Sequence, residues 1–237
     1  MTGGLAHEIK NPLSTIGLNA QLIREGIQHL KGADPGERDR LIRRVDVLHR
    51  ESERLGSILT EFLEFAGQIR LEPAPADLNE VAEELVDFFT PQARSAGVRL
   101  RLEPASEPVR LEIDVGHLKQ AALNLMLNAV QAMRAAGEDQ EKELLLRVET
   151  ARQRGGEAAA ILHVIDTGPG IPQETLDRVF TPYFSTRSGG TGLGLPLSRR
   201  IAEAHGGTLE VHSTVGVGTD CAITVPLKAA SDRGGAA

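Results

Sequence analysis

Two stretches with apolar residues at alternating steps of four and three constrain the fold of this chain most strongly. The first stretch carries Ile9, Leu13, Ile16, Ala20, Ile23, Ile27 and Leu30. The second carries Leu41, Val45, Leu48, Leu55, Leu59, Phe62, Ala66 and Ile69. This spacing places an apolar seam along one side of an α-helix. Glycines and a proline at 32–36 predict a turn between the helices, so residues 1–70 are expected to form an antiparallel helical hairpin.

A two-helix hairpin with apolar seams cannot bury both of its faces by itself. The simplest solution is a second copy of the chain, because two hairpins together enclose the seams in a four-helix bundle. The pattern therefore predicts a homodimer.

The periodicity changes after the segment 71–76, whose two prolines predict an interdomain linker. In the domain predicted over 77–228, helices are expected near 78–95, from Asp114 to about 136, and near 196–205. Strands are expected near 98–102, 109–113, 144–150, 159–165, 208–213 and 220–227. This mixture of elements predicts an α/β sandwich with one mixed sheet under helices. Residues 229–237 are expected to form a disordered tail.

Composition narrows the functional class. The chain has 26 basic and 33 acidic residues, a net charge of −7 that argues against nucleic acid as a partner. A single cysteine, Cys221, excludes an intramolecular disulfide, suits a reducing cytoplasm and is expected to fill space in a strand. Apolar runs of about 18 residues and a secretory signal are both missing, so this segment is expected to be soluble, without membrane contact.

His7 is the first candidate for chemistry. It lies two residues before Ile9 and therefore points away from the seam, with Glu8 beside it and Asn11 one turn later. If Glu8 accepts a hydrogen bond from one ring N–H of His7, the other ring nitrogen keeps a lone pair that can attack phosphorus. An exposed helical histidine can equally be an ordinary surface residue.

A second set of candidates suits a nucleotide. Asp166 follows a predicted strand and precedes Gly168 and Gly170, so its carboxylate can accept from an exocyclic amino group, although an ordinary turn has the same pattern. The glycine-rich run 188–195 precedes a helix, where free amides can hold phosphate; a flexible linker is the alternative, and the ending of a P-loop is missing. Asn124 and Asn128 share one helix face and offer oxygen ligands for Mg²⁺, unless they are hydrogen-bonded core residues.

These strings resemble the conserved boxes of histidine kinases, in the order that this family has them. The boxes are the H-box at His7–Leu13, the N-box at Asn124–Ala129, the G1 box at Asp166–Gly170, the F-box at Phe180–Phe184, the G2 box at Gly190–Leu195 and the G3 box at Gly216–Thr219. The segment Phe184–Arg187 followed by Gly190 most resembles the nitrogen-regulation type of these kinases.

The resemblance implies the Bergerat ATP-binding fold of the gyrase, Hsp90, histidine kinase and MutL superfamily. It also implies a sensor histidine kinase that uses ATP and Mg²⁺ to phosphorylate His7 and then an aspartate in the receiver domain of a response regulator. In that family the residue at Glu8 assists phosphotransfer, and the residue at Asn11 orients water for dephosphorylation of the partner.

For the nucleotide, the resemblance implies that Asp166 binds the adenine amino group with Thr219 nearby. It places Asn128 on Mg²⁺ and Asn124 near the phosphates and the metal. A mobile lid would be formed by Gly190, Thr191, Gly192, Leu193 and Gly194. Arg187 is a candidate phosphate contact at a position where the family often has lysine. Cys221 departs from the pattern, since an aromatic residue commonly follows the G3 box, and altered packing is expected there.

Other functions stay open at this point. An ATPase without a phosphohistidine, such as a chaperone or topoisomerase-like module, is disfavoured by the H-box. A nucleotide-binding regulatory module without catalysis is disfavoured because every expected polar residue is present. Phosphatase action on the partner could dominate, which Asn11 permits. The short stretch before His7 suggests part of a longer sensor, which could be anchored to a membrane. The other histidines lack the spacing of a metal site.

Overall fold

The computed structural model describes residues 14–23, 25–26, 35–135, 141–152, 157–186 and 190–227. They divide into two compact units. The first contains the helices up to Gly67 together with the segment Tyr183–Leu193, and the second contains Gln68–Pro182 and the residues from Gly194 onward. The grouping of Tyr183–Leu193 with the first unit was not indicated by the sequence.

The first unit is a helical hairpin. Helix α1 is described over 14–23 and 25–26, and helix α2 spans Pro35–Ala66. The two helices meet where Gly26 lies against Leu41, since a Cβ atom on Gly26 would stand 2.6 Å from Leu41 Cδ2. The predicted hairpin is therefore confirmed.

The bounds of α2 differ from the prediction at both ends. Pro35 and Gly36, predicted to lie in the turn, are helical, because proline is tolerated in the first turn of a helix, where its missing N–H would have no partner. The helix ends at Ala66, so Ile69 at the end of the predicted seam lies beyond it.

Large apolar side chains of α2 stay open to solvent within a single chain. Ile42 is 48%, Val45 51%, Leu59 51% and Leu63 60% exposed. These four residues are called the open seam below. Among the described residues, no helix is both long enough and apolar enough to cross a bilayer.

The second unit contains seven strands and four helices in the described part of the chain. In order they are β1 (Ala74–Asp77), α3 (Leu78–Ser95), β2 (Arg99–Glu103), β3 (Arg110–Ile113), α4 (Val115–Ala135), β4 (Glu143–Arg152), β5 (Ala158–Asp166), α5 (Gln173–Leu176), α6 (Gly194–Ala204), β6 (Thr208–Thr214) and β7 (Gly218–Pro226). The predicted tail at 229–237 lies outside the described residues.

Five strands form the main sheet in the order β2-β4-β5-β7-β6. Strand β2 runs parallel to β4, whereas β4–β5, β5–β7 and β6–β7 are antiparallel. Helices α3, α4 and α6 contact the strands. Alternate residues of β4 and β5 are fully buried, among them Leu144, Leu146, Leu162 and Val164. The predicted α/β sandwich with a mixed sheet is confirmed.

Helix α3 shows how local sequence sets an element. Asp77 caps it, because Asp77 Oδ1 accepts from Asn79 N at 2.9 Å. Its buried side chains recur at helical spacing on one face: Leu78, Val81, Ala82, Leu85, Phe89 and Ala93. The predicted bounds 78–95 agree with the structure.

The segment predicted as a linker is partly structured. Residues 74–77 form β1, which pairs antiparallel with β3 through Ala74↔Ile113 and Asp77↔Arg110. Of the predicted linker 71–76, only residues 71–73 lie outside this strand. A proline can sit in it because β1 and β3 form a two-stranded sheet, in which each strand has a free edge.

Candidate functional site

Helix α4 forms one wall of the candidate site. Asn124, Asn128 and Ala132 follow one another at steps of four and therefore share a face of this helix. Gly194 lies near the first part of this face, because a Cβ atom on it would stand 3.8 Å from Asn128 Nδ2 and 4.0 Å from Asn124 Cβ. Gly168 lies near the last part, 3.6 Å from Ala132 Cβ by the same measure. The structure thus brings the predicted N-box, G1 box and the end of the G2 box onto one helix face.

Asp166 is the buried carboxylate of the site. It ends β5 and is 7% exposed, with the buried Gly168 two residues further on. Its Oδ1 accepts a hydrogen bond from Gly168 N at 2.8 Å, which orients the carboxylate by the turn that follows the strand. An oriented, largely desolvated acceptor can select a ligand that presents an N–H donor.

Thr219 lies directly opposite Asp166 in the β5–β7 pair. Gly218 precedes it with a φ of 146°, and a Cβ atom there would overlap the carbonyl oxygen of Asp166. Only glycine fits this close approach of two backbones. The predicted G3 box therefore lies beside the predicted G1 box.

Ser213 joins these two boxes and was not singled out from the sequence. Its Oγ accepts from Ile171 N at 2.8 Å and donates to Gly218 O at 2.9 Å, with Thr219 Oγ1 also 2.9 Å away. One hydroxyl thus connects the loop after Asp166 with both strands of the β6–β7 hairpin. A serine in an alternating strand gives no sequence signal for such a role.

Ser198 holds the two helices of the site together and was also missed. It is fully buried on α6, and its Oγ lies 3.2 Å from Ala121 O of α4 and 3.0 Å from Gly194 O. This contact fixes the start of α6 beside the asparagine face of α4. Helix α6 begins at Gly194, two residues before the predicted start.

The predicted lid residues 190–193 belong to the first unit. Tyr183 N donates to Gly192 O at 3.2 Å, which closes the neck of the loop between them. Thr191 Oγ1 accepts from Leu193 N at 3.3 Å and donates to the carboxylate of Glu61 on α2. The amide of Leu193, one of the donors expected to hold phosphate, is therefore engaged within the chain.

Other predicted residues fall outside the described part of the chain. These are His7, Glu8 and Asn11 of the H-box and Arg187 of the lid. Gly170 is described and lies against Thr214 and Val215 of the β6–β7 hairpin. The site as described thus contains the nucleotide candidates but not the nucleophile.

Cys221 lies two residues after Thr219 on β7 and is a free thiol. Burial, together with the negative charges of Asp166 and Asp220, raises its pKa to about 12. Such a thiol stays protonated at neutral pH and is a poor nucleophile. This agrees with the expectation of a space-filling strand residue.

His163 is a partly buried histidine with acidic partners. His163 Nδ1 lies 2.9 Å from Asp220 Oδ1, and this hydrogen bond raises the pKa of His163 against the opposing effect of burial, with Glu149 adding to the rise. Within the described ranges, no group of three or more metal-ligating side chains comes together.

The residues present fit a magnesium nucleotide chemically. Asp166 offers a buried acceptor for an amino group, and Asn124 and Asn128 offer amide oxygens of the kind that Mg²⁺ accepts. Gly194 leaves open the space beside both asparagines that a side chain would fill. The start of α6 at Gly194 places backbone amides at the same end of the α4 face.

Two protein families match the chain. Residues 1–67 match the family "His Kinase A (phospho-acceptor) domain", and residues 113–229 match "Histidine kinase-, DNA gyrase B-, and HSP90-like ATPase".

Similar proteins agree with these matches. The sensor histidine kinase ZraS of Escherichia coli (strain K12) is 34% identical over 227 residues, which is 96% of this chain and 45% of ZraS. Sporulation kinase D of Bacillus subtilis (strain 168) is 29% identical over 230 residues, which is 97% of this chain and 42% of that kinase. The chain therefore spans just under half the length of the curated relatives it matches.

Solved structures show the same fold. Histidine kinase ThkA, crystallised in complex with response regulator protein TrrA, has a TM-score of 0.74 and 28% identity, covering 96% of this chain and 61% of ThkA. Histidine kinase AdeS of Acinetobacter baumannii has a TM-score of 0.61 and 24% identity, covering 94% of this chain and 98% of that one. With both domain matches and the site geometry in agreement, the chain belongs to the histidine kinases and comprises their phospho-acceptor and ATPase domains.

Proposed function

We propose that this chain binds ATP with Mg²⁺, transfers the γ-phosphoryl group to its own His7, and passes it to an aspartate in the receiver domain of a response regulator. The observation that carries the proposal is the alignment of Asp166, Asn124, Asn128 and Gly194 along α4. The relatives ZraS and sporulation kinase D are kinases by name. The similar kinase ThkA was crystallised with a response regulator, which supports a partner of that class.

Binding of the nucleotide depends on how the Asp166 carboxylate is oriented. Asp166, held by Gly168 N, accepts from the exocyclic amino group of adenine, and Thr219 lies beside it. Asn128 would hold Mg²⁺ through its amide oxygen, and Asn124 would face the phosphates. Bound Mg²⁺ supplies positive charge that neutralises the triphosphate. Arg187 and the amides of the predicted lid would supply further hydrogen-bond donors to the phosphates, and the Leu193 amide would have to leave Thr191 Oγ1 to do so.

The acceptor end depends on His7. Glu8 accepts from one ring nitrogen, so the other nitrogen carries the lone pair that attacks phosphorus in line with the leaving oxygen. Asn11 orients a water molecule against the phosphorylated partner, which gives the chain a phosphatase activity as well. The segment Phe184–Arg187 followed by Gly190 supports a kinase of the nitrogen-regulation type.

The assembly we propose is a homodimer in the cytoplasm. The open seam places four large apolar side chains, each about half exposed, on one helix, and a second hairpin would cover them. The parent protein can still be anchored to a membrane through segments beyond this chain. Neither nucleic acid nor a bilayer is a proposed partner of this segment.

The test is transfer of label from γ-labelled ATP. Wild-type protein should gain acid-labile, alkali-stable label, and His7→Gln should gain none. His49→Gln is the matched control, because His49 is an exposed histidine on α2 paired with Glu53, and it should label like the wild type. Label retained in His7→Gln would overturn the assignment of the nucleophile. ATP hydrolysis without any protein label would favour the ATPase alternative.

A further inference from the structure

Asp114 connects the start of the second unit to the helices of the nucleotide site. It lies between β3 and α4, and its side chain is 13% exposed. Asp114 Oδ1 accepts from His117 N at 3.0 Å, the usual bond of a helix N-cap. Asp114 Oδ2 accepts from Glu72 N at 2.9 Å, across 42 residues of chain. The same carboxylate therefore caps α4 and holds the segment that enters the unit.

The end of α6 meets Asp114 as well. Asp114 N donates to His205 Nε2 at 3.1 Å, and His205 Nδ1 lies 2.8 Å from Ile201 O. Because Nε2 accepts, the proton of the neutral ring is on Nδ1 and is donated to Ile201 O. Asp114 thus touches the linker, the first turn of α4 and the end of α6. These are the helices that carry Asn124, Asn128 and Gly194.

The carboxylate is held strongly in its charged form. Burial alone would raise the pKa of Asp114. The hydrogen bonds from Glu72 N, His117 N and the His117 ring outweigh burial and hold the pKa of Asp114 well below its usual range. The Asp114 carboxylate that accepts from Glu72 N therefore stays ionised at physiological pH.

The backbone just before Glu72 is held by fewer hydrogen bonds than the backbone after it. Helix α2 ends at Ala66, and within the described residues 68–71 make no backbone–backbone hydrogen bond. From Glu72 onward the chain is fastened, first by Asp114 and then by the β1–β3 ladder that starts at Ala74. The stretch without backbone hydrogen bonds, 68–71, thus lies largely before the predicted linker 71–76 and ends at a defined bond.

We propose that Asp114 is a positioning residue for phosphoryl transfer: by binding Glu72 N it fixes the point at which the interdomain connection leaves the nucleotide-binding unit, and so limits how far that unit can stray from His7. This inference rests on the proposed function. Releasing Glu72 lengthens the free connection from four residues (68–71) to six (68–73). Effective concentration falls with about the 3/2 power of tether length, so the transfer rate should fall about twofold, and further if orientation is lost.

Asp114→Asn separates the two tasks of the carboxylate. Asparagine is as good an N-cap as aspartate, and its oxygen can still accept from His117 N. Its other atom becomes an NH₂ group, which cannot accept from Glu72 N. The matched control is Asp77→Asn, which caps α3 with a single oxygen, Oδ1, that accepts from both Asn79 N and Val109 N. An asparagine oxygen can keep both of those bonds.

The first readout is hydrogen exchange in the full chain. Asp114→Asn should speed exchange of the Glu72 amide at least tenfold and leave the His117 amide protected, and Asp77→Asn should change neither. Unchanged Glu72 exchange in Asp114→Asn would show that the bond does not hold the linker. This readout does not depend on kinase activity, so it stands even if wild-type protein forms no phosphohistidine.

The second readout is the rate of His7 labelling at saturating ATP, measured beside the KM for ATP. Asp114→Asn should lower the maximal rate about twofold or more with the KM unchanged. Glu72→Pro removes the donor N–H and should have an effect of the same sign. The double variant should be no slower than the slower single variant, because both changes remove one bond. A raised KM, an unchanged rate, or multiplying effects in the double variant would each overturn the proposal.

Discussion

The carbonyl oxygen of Asp166 lies so close to Gly218 that a Cβ atom on residue 218 would overlap it. The two residues belong to the paired strands β5 and β7, next to the pair Asp166↔Thr219. The acceptor carboxylate and the G3 box are thus fixed to each other through their backbones. The geometry of the proposed adenine site depends on this contact.

Gly218→Ala should therefore destabilise the second unit by about 3 kcal/mol, since both steric overlap and a disfavoured φ oppose the side chain. Gly216→Ala is the matched control in the same hairpin. Gly216 has a φ of 80° and no atom within 4 Å of its Cβ position, so only the conformational cost of about 1 kcal/mol applies. Urea unfolding of both variants measures the difference. Equal losses would show that the overlap is relieved elsewhere.

Asp166→Asn should strongly weaken nucleotide binding while leaving the fold intact. The asparagine oxygen can keep the bond from Gly168 N, but its NH₂ group would then face the amino group of adenine. The lost charge-assisted bond and the opposed donors should cost about 3 kcal/mol, or roughly 100-fold in Kd. Calorimetry with an ATP analogue and a thermal melt check both parts. Near-normal affinity would remove Asp166 from the proposed adenine contact.

Ser213→Ala should lower stability by about 1–3 kcal/mol, because Ile171 N and Gly218 O lose their shared partner in a part-buried place. Weaker nucleotide binding should accompany the loss, since Ser213 joins the two loops beside Asp166. Thr214→Ala, at the exposed next residue, is the control and should be close to neutral. If both variants unfold at the same urea concentration, the hydroxyl network has no energetic role.

His163 should make stability depend on pH in the neutral range. Its pKa is raised in the folded state, so its contribution is fully present below about pH 6.5 and is lost as pH rises through the folded-state value. Asp220→Asn removes the main cause of the rise. The stability difference between wild type and Asp220→Asn should therefore be larger at pH 5.5 than at pH 8.5. A difference that grows towards alkaline pH would contradict this assignment.

Much of the fold could be predicted because local signals agreed with it. The apolar spacing of α3 gave its bounds, and α4 begins directly after Asp114, where the sequence predicts its start. Strand β1 was missed because four residues with a proline give no alternation, and only β3 makes them a strand. Helix α2 stops at Ala66 although the apolar spacing continues to Ile69, since spacing does not mark where a helix ends.

For the candidate site, too, some features could be predicted from the sequence and others could not. Asp166, Asn124 and Asn128 could be predicted, because residue type and spacing reveal a carboxylate after a strand and two amides on one helix face. The roles of Ser213 and Asp114 could not, because their partners lie far away in sequence and become neighbours only when loops meet. The contact of Thr191 with Glu61 spans 130 residues and has the same origin.

The closed neck between Tyr183 and Gly192 has a consequence for evolution of the lid. Because the two ends of this loop are held at 3.2 Å by a backbone bond, residues inserted between them leave the sheet and the helices in place. Doubling a loop whose ends are fixed costs only about 0.6 kcal/mol of closure entropy. The length of this predicted lid can therefore drift among descendants of such a chain at little cost to stability.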